Sequence, residues 1–437
     1  MSDQESVSRG AGAAVNRRNF LAASGALAGM ASTVTFTAKS YASIVGANDR
    51  IRWGLIGAGG MGSSHLRALA ALKEQDNLEA VAVADCWKTR AERGASDVGA
   101  PQSFTDFRQL LDIKDIHYVT IATPEHWHSK MTIAAMEAGK AVYCEKPMTH
   151  TIEEAQQVAA CQKKTNMPLQ VGVQAMSDDS YESAAVAIEN GVLGQVVQAQ
   201  IEYVRRYGSQ GPWREPDLQE NMPKPDDLNW KDWLGHAPDI PWNPHHYFEW
   251  RNYSAYSGGV ATDLFIHRIT RIMKACKLMY PRRVVGMGGI WQWPDGRDLP
   301  DNFEMICEYP RGMTVYVLGT QSNRVGVRHL IRGYRGTMEF TDSGWVVRDK
   351  DDKVLEEHKK TGGEDIHLHH TNLHNHLRNG QPLRCPMELG MAGVVAVNMA
   401  NTSWRTGQMM AWDTANEKMI PAHQLAEQNF FPEGSDA

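Results

Sequence analysis

Six residues restrict the folds open to this chain more than any others: Gly57-Ala58-Gly59-Gly60-Met61-Gly62. They form a G-x-G-x-x-G between a short apolar run, Arg50 to Ile56, and a helical pattern from about Met61 to Lys73. In that setting each glycine has a task. Gly57 makes a tight turn, Gly59 lets backbone approach a pyrophosphate, and Gly62 lets the helix pack close to the strand. The helix start then offers free N–H groups and a positive dipole end to phosphates. The next apolar run, Leu78 to Ala84, ends in Asp85, 23 residues beyond Gly62. A carboxylate there accepts hydrogen bonds from ribose hydroxyls and repels a 2′-phosphate, which favours NAD over NADP. Arg90 nearby weakens that preference slightly. The competing reading is a glycine-rich turn that holds no ligand.

Strand and helix patterns continue to alternate. Ile116 to Ala122 reads as a strand, then Thr123-Pro124-Glu125-His126-Trp127-His128 opens a helix to Ala138. Ala141 to Cys144 is a strand ending in Glu145-Lys146-Pro147, Ile152 to Lys164 a helix, and Leu169 to Val173 a strand. This alternation predicts a doubly wound parallel sheet with helices on both faces. Ligands of such sheets bind beyond the carboxyl ends of the strands, where the 123–128 loop and Glu145-Lys146 fall.

The first 42 residues read as an address. Asn16-Arg17-Arg18-Asn19-Phe20-Leu21 precedes a weakly apolar Ala/Gly/Ser stretch to about Ala38, with small residues at Ser40 and Ala42 for cleavage. This is the layout of a twin-arginine export signal, which predicts a periplasmic or otherwise exported protein. That route carries folded proteins, as a cofactor loaded before export requires. No stretch of about 20 uncharged apolar residues follows, so no membrane span is expected after signal removal. The formal charge of −6 leaves no cationic excess for gripping nucleic acid. Six cysteines include no Cys-x-x-Cys pair and read as buried thiols.

The glycine motif, the Thr123-Pro124 loop ending in His128, and Glu145-Lys146-Pro147 together resemble the glucose-fructose oxidoreductase, inositol dehydrogenase and rhizopine-catabolism (Gfo/Idh/MocA) family. Gly258-Gly259 followed by Asp263-x-x-x-His267 looks like a further family element, and the resemblance runs to Trp412-Asp413. It implies a Rossmann domain, 43–175, and a C-terminal α/β domain, 176–437, with a large open, mostly antiparallel sheet. It also implies assembly as a homodimer or homotetramer, and a helix around 366–379 packing back on the Rossmann domain. Independently, apolar runs at Val196–Tyr203, Val284–Trp293, Phe303–Tyr309, Met313–Thr320, His329–Arg332, Thr337–Phe340 and Trp345–Arg348 read as strands, the later ones joined by short connections.

The cofactor set is Gly57, Ala58, Gly59, Gly60, Met61, Gly62, Asp85, Thr123, Pro124, His128, Glu145 and Lys146. The resemblance assigns catalysis to Lys146, Asp263 and His267. Alcohol oxidation needs a base for the hydroxyl proton while hydride leaves the same carbon. His267 is expected to be the acid/base, Lys146 to position the hydroxyl, and Asp263, four residues before His267, to orient the imidazole.

Residues 201–256 hold 11 of the chain's 36 aromatics, five of them tryptophan. Flat apolar faces with polar edges suit sugar rings; Tyr256, His245 and Trp213 are the substrate candidates, although most of these rings should pack one another. The run His367, His369, His370, His374 and His376 lacks a His-Glu-x-x-His pattern, so no metal is expected.

The expected function is an NAD(P)-dependent oxidoreductase acting on a sugar, polyol or glycoside hydroxyl. Outside the cytoplasm its NAD must be held tightly and reset in place. A redox-neutral glycosidase or lyase working through a 3-keto intermediate is one alternative, although such relatives depart from Glu-Lys-Pro. A non-catalytic NAD-binding sensor is the other.

Overall fold

The computed structural model describes residues 50–425 apart from Pro216 and Arg311. The export signal and its cleavage site lie outside the described residues.

The first half alternates as the sequence pattern requires: β1 (Ile51–Ile56), α1 (Gly60–Ala71), β2 (Leu78–Ala84), α2 (Lys88–Val98), β3 (Gln102–Phe104), α3 (Phe107–Leu111), β4 (Tyr118–Ile121), α4 (Glu125–Glu137), β5 (Ala141–Glu145), α5 (Ile152–Thr165) and β6 (Leu169–Gly172). The six strands pair in parallel in the order β3-β2-β1-β4-β5-β6. Strands β4 and β5 are buried at every position, as expected of parallel strands covered on both faces. The order reverses beside β1, so the crevice at that switch point opens where β1, β4 and β5 end. Local signals set the helix starts: Thr151 and Glu154 form a reciprocal capping box at α5. β3, with only three residues, was too short to be legible in the sequence.

The second half adds α6 (Asp179–Glu189), β7 (Val196–Val204), α7 (Trp230–Leu234), α8 (Pro244–Phe248), a π-helical turn (Val260–Phe265) running into α9 (Ile266–Cys276), then β8 (Arg283–Gly289), β9 (Asn302–Tyr309), β10 (Met313–Thr320), β11 (His329–Gly333), β12 (Thr337–Thr341), β13 (Gly344–Arg348), β14 (Val354–Lys359), α10 (Ile366–Asn379), α11 (Met387–Thr406), β15 (Met410–Asp413) and β16 (Lys418–Pro421). Ten strands form one sheet ordered β14-β13-β12-β11-β7-β10-β9-β8-β15-β16. Only β7 and β10 pair in parallel; the other neighbours are antiparallel. β8 ends at Gly289 rather than running to Trp293. There the buried Asp301 carboxylate accepts the backbone N–H groups of Trp291, Gln292 and Trp293 and turns the chain out of the ladder.

The core of this half lies between one sheet face and α6, α9 and α11. On the other face Val285, Ile306 and Tyr316 form a cross-strand row, with Ile306 and Met287 exposed. α11 also packs its start into the Rossmann core through Met387, Met391 and Val394. α10 lies against α1: His374 Nδ1 is 2.6 Å from Asp76 Oδ2, and its Nε2 is 3.0 Å from the Tyr118 hydroxyl. His369 Nε2 donates to the Val171 carbonyl at 2.9 Å. Among the described residues no three His, Cys, Asp or Glu side chains converge on a metal position.

Several of these buried histidines make stability depend on pH. Burial pushes His126 down to about 3 and His369 down to about 4, although each donates to a backbone carbonyl. Below about pH 6.5 the unfolded chain takes up protons that the folded chain refuses. Their stability contribution is therefore complete above about pH 7 and falls as pH drops through 6.5. At pH 5 each should cost about 2 kcal/mol. Melting temperatures recorded from pH 7.5 to 5 should decline accordingly; a flat profile contradicts the assignment.

Candidate active site

A cavity of about 750 Å³ opens at the carboxyl ends of β1, β2, β4 and β5. Gly57, Gly59, Gly60 and Met61 line one side, with Asp85, Thr123, Pro124, Glu145 and Lys146 around it. The volume is in the range that holds a cofactor-sized ligand.

The glycine loop fits a dinucleotide. Gly57 has φ +92°, and a Cβ on Gly62 would stand 1.9 Å from the Gly57 carbonyl oxygen, so only glycine permits this crossing of loop and helix. Around Gly60 a Cβ would meet nothing within 4 Å; at Gly59 it would meet only the Arg90 guanidinium, at 3.4 Å. That backbone faces open cavity. α1 starts with no side-chain cap and no acidic residue in its first turn, which leaves its N–H groups and dipole free for an anion. Ala58, by contrast, is buried, and its N–H donates to Asp85 Oδ2 at 2.8 Å.

Asp85 also accepts from the Trp87 N–H at 2.8 Å. Burial raises its carboxyl above the usual range, against the pull of these donors and of Arg90. It therefore braces the loop as well as lining the cavity. Arg90 stacks on the Trp87 ring at 4.7 Å and the Tyr247 ring at 5.3 Å, and it too lines the cavity.

His128 does not line the cavity. It is buried, and its two ring nitrogens lie 2.6 Å and 2.9 Å from the carbonyl oxygens of Pro147 and Thr123. It fastens the two strand-end loops to each other, so its service to the cofactor site is indirect.

Lys146 reaches across to the π-helical turn. Its Nζ donates to Asp263 Oδ1 at 2.8 Å and to the Asp263 carbonyl at 3.1 Å. Arg251 Nε donates to the same Oδ1 at 2.9 Å while its guanidinium stacks on Trp250. Burial pushes the Asp263 carboxyl up, but the charges of Lys146 and Arg251 outweigh it and hold it well below the usual range.

This corrects the expected role of Asp263. The i, i+4 spacing pointed to His267, but two cations in space attract a carboxylate more strongly than a neutral imidazole does. His267 Nδ1 is buried and, among the described residues, without a hydrogen-bond partner. Burial and the nearby charges of Lys146, Arg271 and Arg268 keep the ring well below its ordinary range, hence neutral. His267 stands outside the cavity wall formed by Lys146 and Arg251.

Of the substrate candidates, none lines the cavity. Tyr256 is 1% exposed in the aromatic cluster, its hydroxyl 2.9 Å from His246 Nδ1. His245 pairs with Glu249 at 2.8 Å. Trp213 packs on the sheet core. The rings that do face the cavity are Phe107, Trp127, Trp233, Tyr247, Phe248 and Trp250. Sequence reasoning located this aromatic segment without telling packed rings from facing ones.

Glu125 was passed over as well. Buried at the start of α4, it accepts from Ser257 Oγ at 2.7 Å, the Gly258 N–H at 3.0 Å and Thr262 Oγ1. Burial raises its carboxyl. It fastens the Thr123-Pro124 loop to the turn that carries Asp263. The signal was present in the donors clustered at 257–262.

A parallel sheet with an open glycine cradle, and a lysine ion-paired across the same cavity, define a dinucleotide-dependent oxidoreductase. Two family descriptions match the chain: oxidoreductase family, NAD-binding Rossmann fold, over residues 51–173, and oxidoreductase family, C-terminal alpha/beta domain, over residues 180–275. The chain belongs to the Gfo/Idh/MocA oxidoreductase family, and its residues 51–173 form an NAD-binding Rossmann fold.

Among curated relatives, levoglucosan dehydrogenase of Pseudarthrobacter phenanthrenivorans is 33% identical over 36% of this chain and 41% of its own length. Inositol 2-dehydrogenase of Salmonella typhimurium is 31% identical over 33% and 43%. A glycosyl hydrolase family 109 protein of Shewanella putrefaciens is 28% identical over 44% and 46%. The chain thus spans less than half the length of these curated relatives. Solved structures share the fold across most of the chain. Levoglucosan dehydrogenase in complex with NADH has TM-score 0.63 at 20% identity, covering 86% of this chain and 100% of that one. An oxidoreductase domain protein from Kribbella flavida has TM-score 0.65 at 19% identity, covering 85% and 99%.

Proposed function

We propose that this chain is an NAD-dependent dehydrogenase that oxidises a ring hydroxyl of a sugar or polyol. The observation that carries the reading is the Lys146 ammonium, set in the cavity wall by Asp263. An ammonium has three N–H bonds. Two are spent on Asp263, and the third is left for a substrate oxygen. That bond orients the hydroxyl and stabilises negative charge developing on it. His267, held neutral, is assigned as the acceptor for the hydroxyl proton, although it stands behind the wall formed by Lys146 and Arg251 with Nδ1 buried, so the ring would have to come forward when substrate binds. Bound NAD supplies the acceptor for the hydride. The facing tryptophans offer apolar surface to the C–H faces of a sugar ring, and the names of the dehydrogenase relatives point to the same substrate class.

The reading includes export by the twin-arginine route, supported by Arg17-Arg18 and the stretch after them. It also includes assembly through the uncovered sheet face, where the row through Ile306 and the exposed Met287 would lie against a second copy. Purified protein mixed with candidate sugars and polyols should develop the near-UV band of reduced nicotinamide. A panel that gives no band, in protein shown to carry NAD, rejects the dehydrogenase. Aryl glycosides test the second reading, redox-neutral cleavage, which the family 109 relative favours. Aglycone release without a lasting band selects it.

A further inference from the structure

One closed group of buried side chains has no part in the chemistry above. Glu145 Oε1 accepts from His65 Nε2 at 2.9 Å and from Gln174 Nε2 at 2.5 Å; Oε2 accepts from the Lys146 backbone N–H at 3.2 Å. Behind it, His65 Nδ1 lies 2.8 Å from His370 Nε2. The His370 ring stacks on Tyr143 at 4.2 Å, and Gln174 also donates to the Tyr143 hydroxyl at 3.1 Å. The ring of contacts draws on α1, β5, the turn after β6, and α10. None of the five side chains is more than 7% exposed.

With both imidazoles neutral and Glu145 ionised, proton bookkeeping allows one arrangement. A carboxylate only accepts, so His65 Nε2 carries the hydrogen and His65 Nδ1 a lone pair. His370 Nε2 must then donate, which leaves a lone pair on His370 Nδ1. That atom is buried and has no hydrogen-bond partner among the described residues. An unmatched buried acceptor is costly, so packing alone would not favour a histidine there. Every hydrogen in the chain points toward Glu145. The other titratable groups around His370 are His65 from α1, His367, His369 and His374 on its own helix, Tyr143 from β5, and Glu145 beyond His65.

We propose that His370 is a positioning residue for Lys146: through His65 it fixes the donor that holds Glu145 as an oriented anion, and so holds the Glu145-Lys146 turn where the lysine meets Asp263. A helix of the second half thereby sets the geometry of a strand end in the first. The proposal rests on the dehydrogenase reading for its catalytic consequence, but the tautomers can be read without turnover.

In the full chain, ¹⁵N-histidine NMR at neutral pH should show His65 and His370 both neutral and protonated at Nε2. His370→Phe keeps the stack on Tyr143 and removes the donor; His370→Gln keeps a donor nitrogen. With His370→Phe, NAD affinity by tryptophan quenching should stay within about twofold while kcat falls about tenfold and KM holds within about threefold. His370→Gln should restore most of kcat. His65 protonated at Nδ1, or a folded His370→Phe with wild-type kcat, overturns the proposal. So does a joint fall of kcat, NAD affinity and melting temperature that glutamine does not rescue, since that marks a purely structural histidine. A wild type that binds NAD but oxidises no polyol overturns the dehydrogenase reading and the catalytic half with it; the tautomer measurement still decides the hydrogen-bond chain.

Discussion

Alanine at Lys146 should cut kcat by roughly 10²–10⁴ while NAD affinity stays within about twofold. Lys146 lines the cavity with its ammonium, but the phosphate cradle is built from Gly57 to Gly62, on a different strand end. The loss should therefore appear in kcat and not in cofactor binding. Arginine at this position should not rescue, because a planar guanidinium cannot place its donors on both Asp263 Oδ1 and the Asp263 carbonyl and still present one to substrate. Turnover of Lys146→Ala near the wild-type rate, with nicotinamide reduction as the readout, would remove the lysine from the chemistry.

Asp263→Ala should cost stability as well as activity. The carboxylate is 5% exposed and lies between two cations. Removing one member of a buried ion pair leaves uncompensated charge, typically about 3–5 kcal/mol. Arg251 is partly exposed and can rehydrate, so about 3 kcal/mol is expected. Asp263→Asn keeps shape and an acceptor oxygen and should lose less stability, yet it should lower kcat because Lys146 is no longer held by charge. The aspartate's pKa is depressed in the folded chain. Its contribution is therefore complete above about pH 4 and is lost only as pH falls through its lower folded value. Denaturant midpoints of the three proteins at neutral pH check the order; an alanine variant as stable as wild type contradicts the ion-pair assignment.

The glycine loop, Asp85 and Glu145-Lys146 were legible in the sequence because each depends on its place along one strand and the turn after it. The sequence singled out Asp263 but not its partner. Spacing along a helix identifies His267, whereas Arg251 is 12 residues away and meets Asp263 only in the fold. The aromatic segment shows the same limit. Composition places it near the site, yet Trp233 and Trp250 face the cavity while Tyr256 closes the cluster behind them. His65 carried no signal, since one histidine on an Ala/Leu-rich helix looks like ordinary core. Its meaning comes from His370, 305 residues later.

The segment that supplies Trp233, Tyr247 and Arg251 lines the same cavity as the glycine loop, and it is anchored. Asp227 accepts from Trp87 Nε1, the Thr89 N–H and Thr89 Oγ1 at 2.9, 2.8 and 2.6 Å, and the Asn229 N–H donates to the Cys86 carbonyl. If this anchored segment kept a bound dinucleotide in place through turnover, the cofactor would act as a resident prosthetic group: two substrates would meet it in turn, each completing a half-reaction. The rate law would then be that of double displacement, with parallel lines in a double-reciprocal plot, and turnover would need no outside pool of NAD.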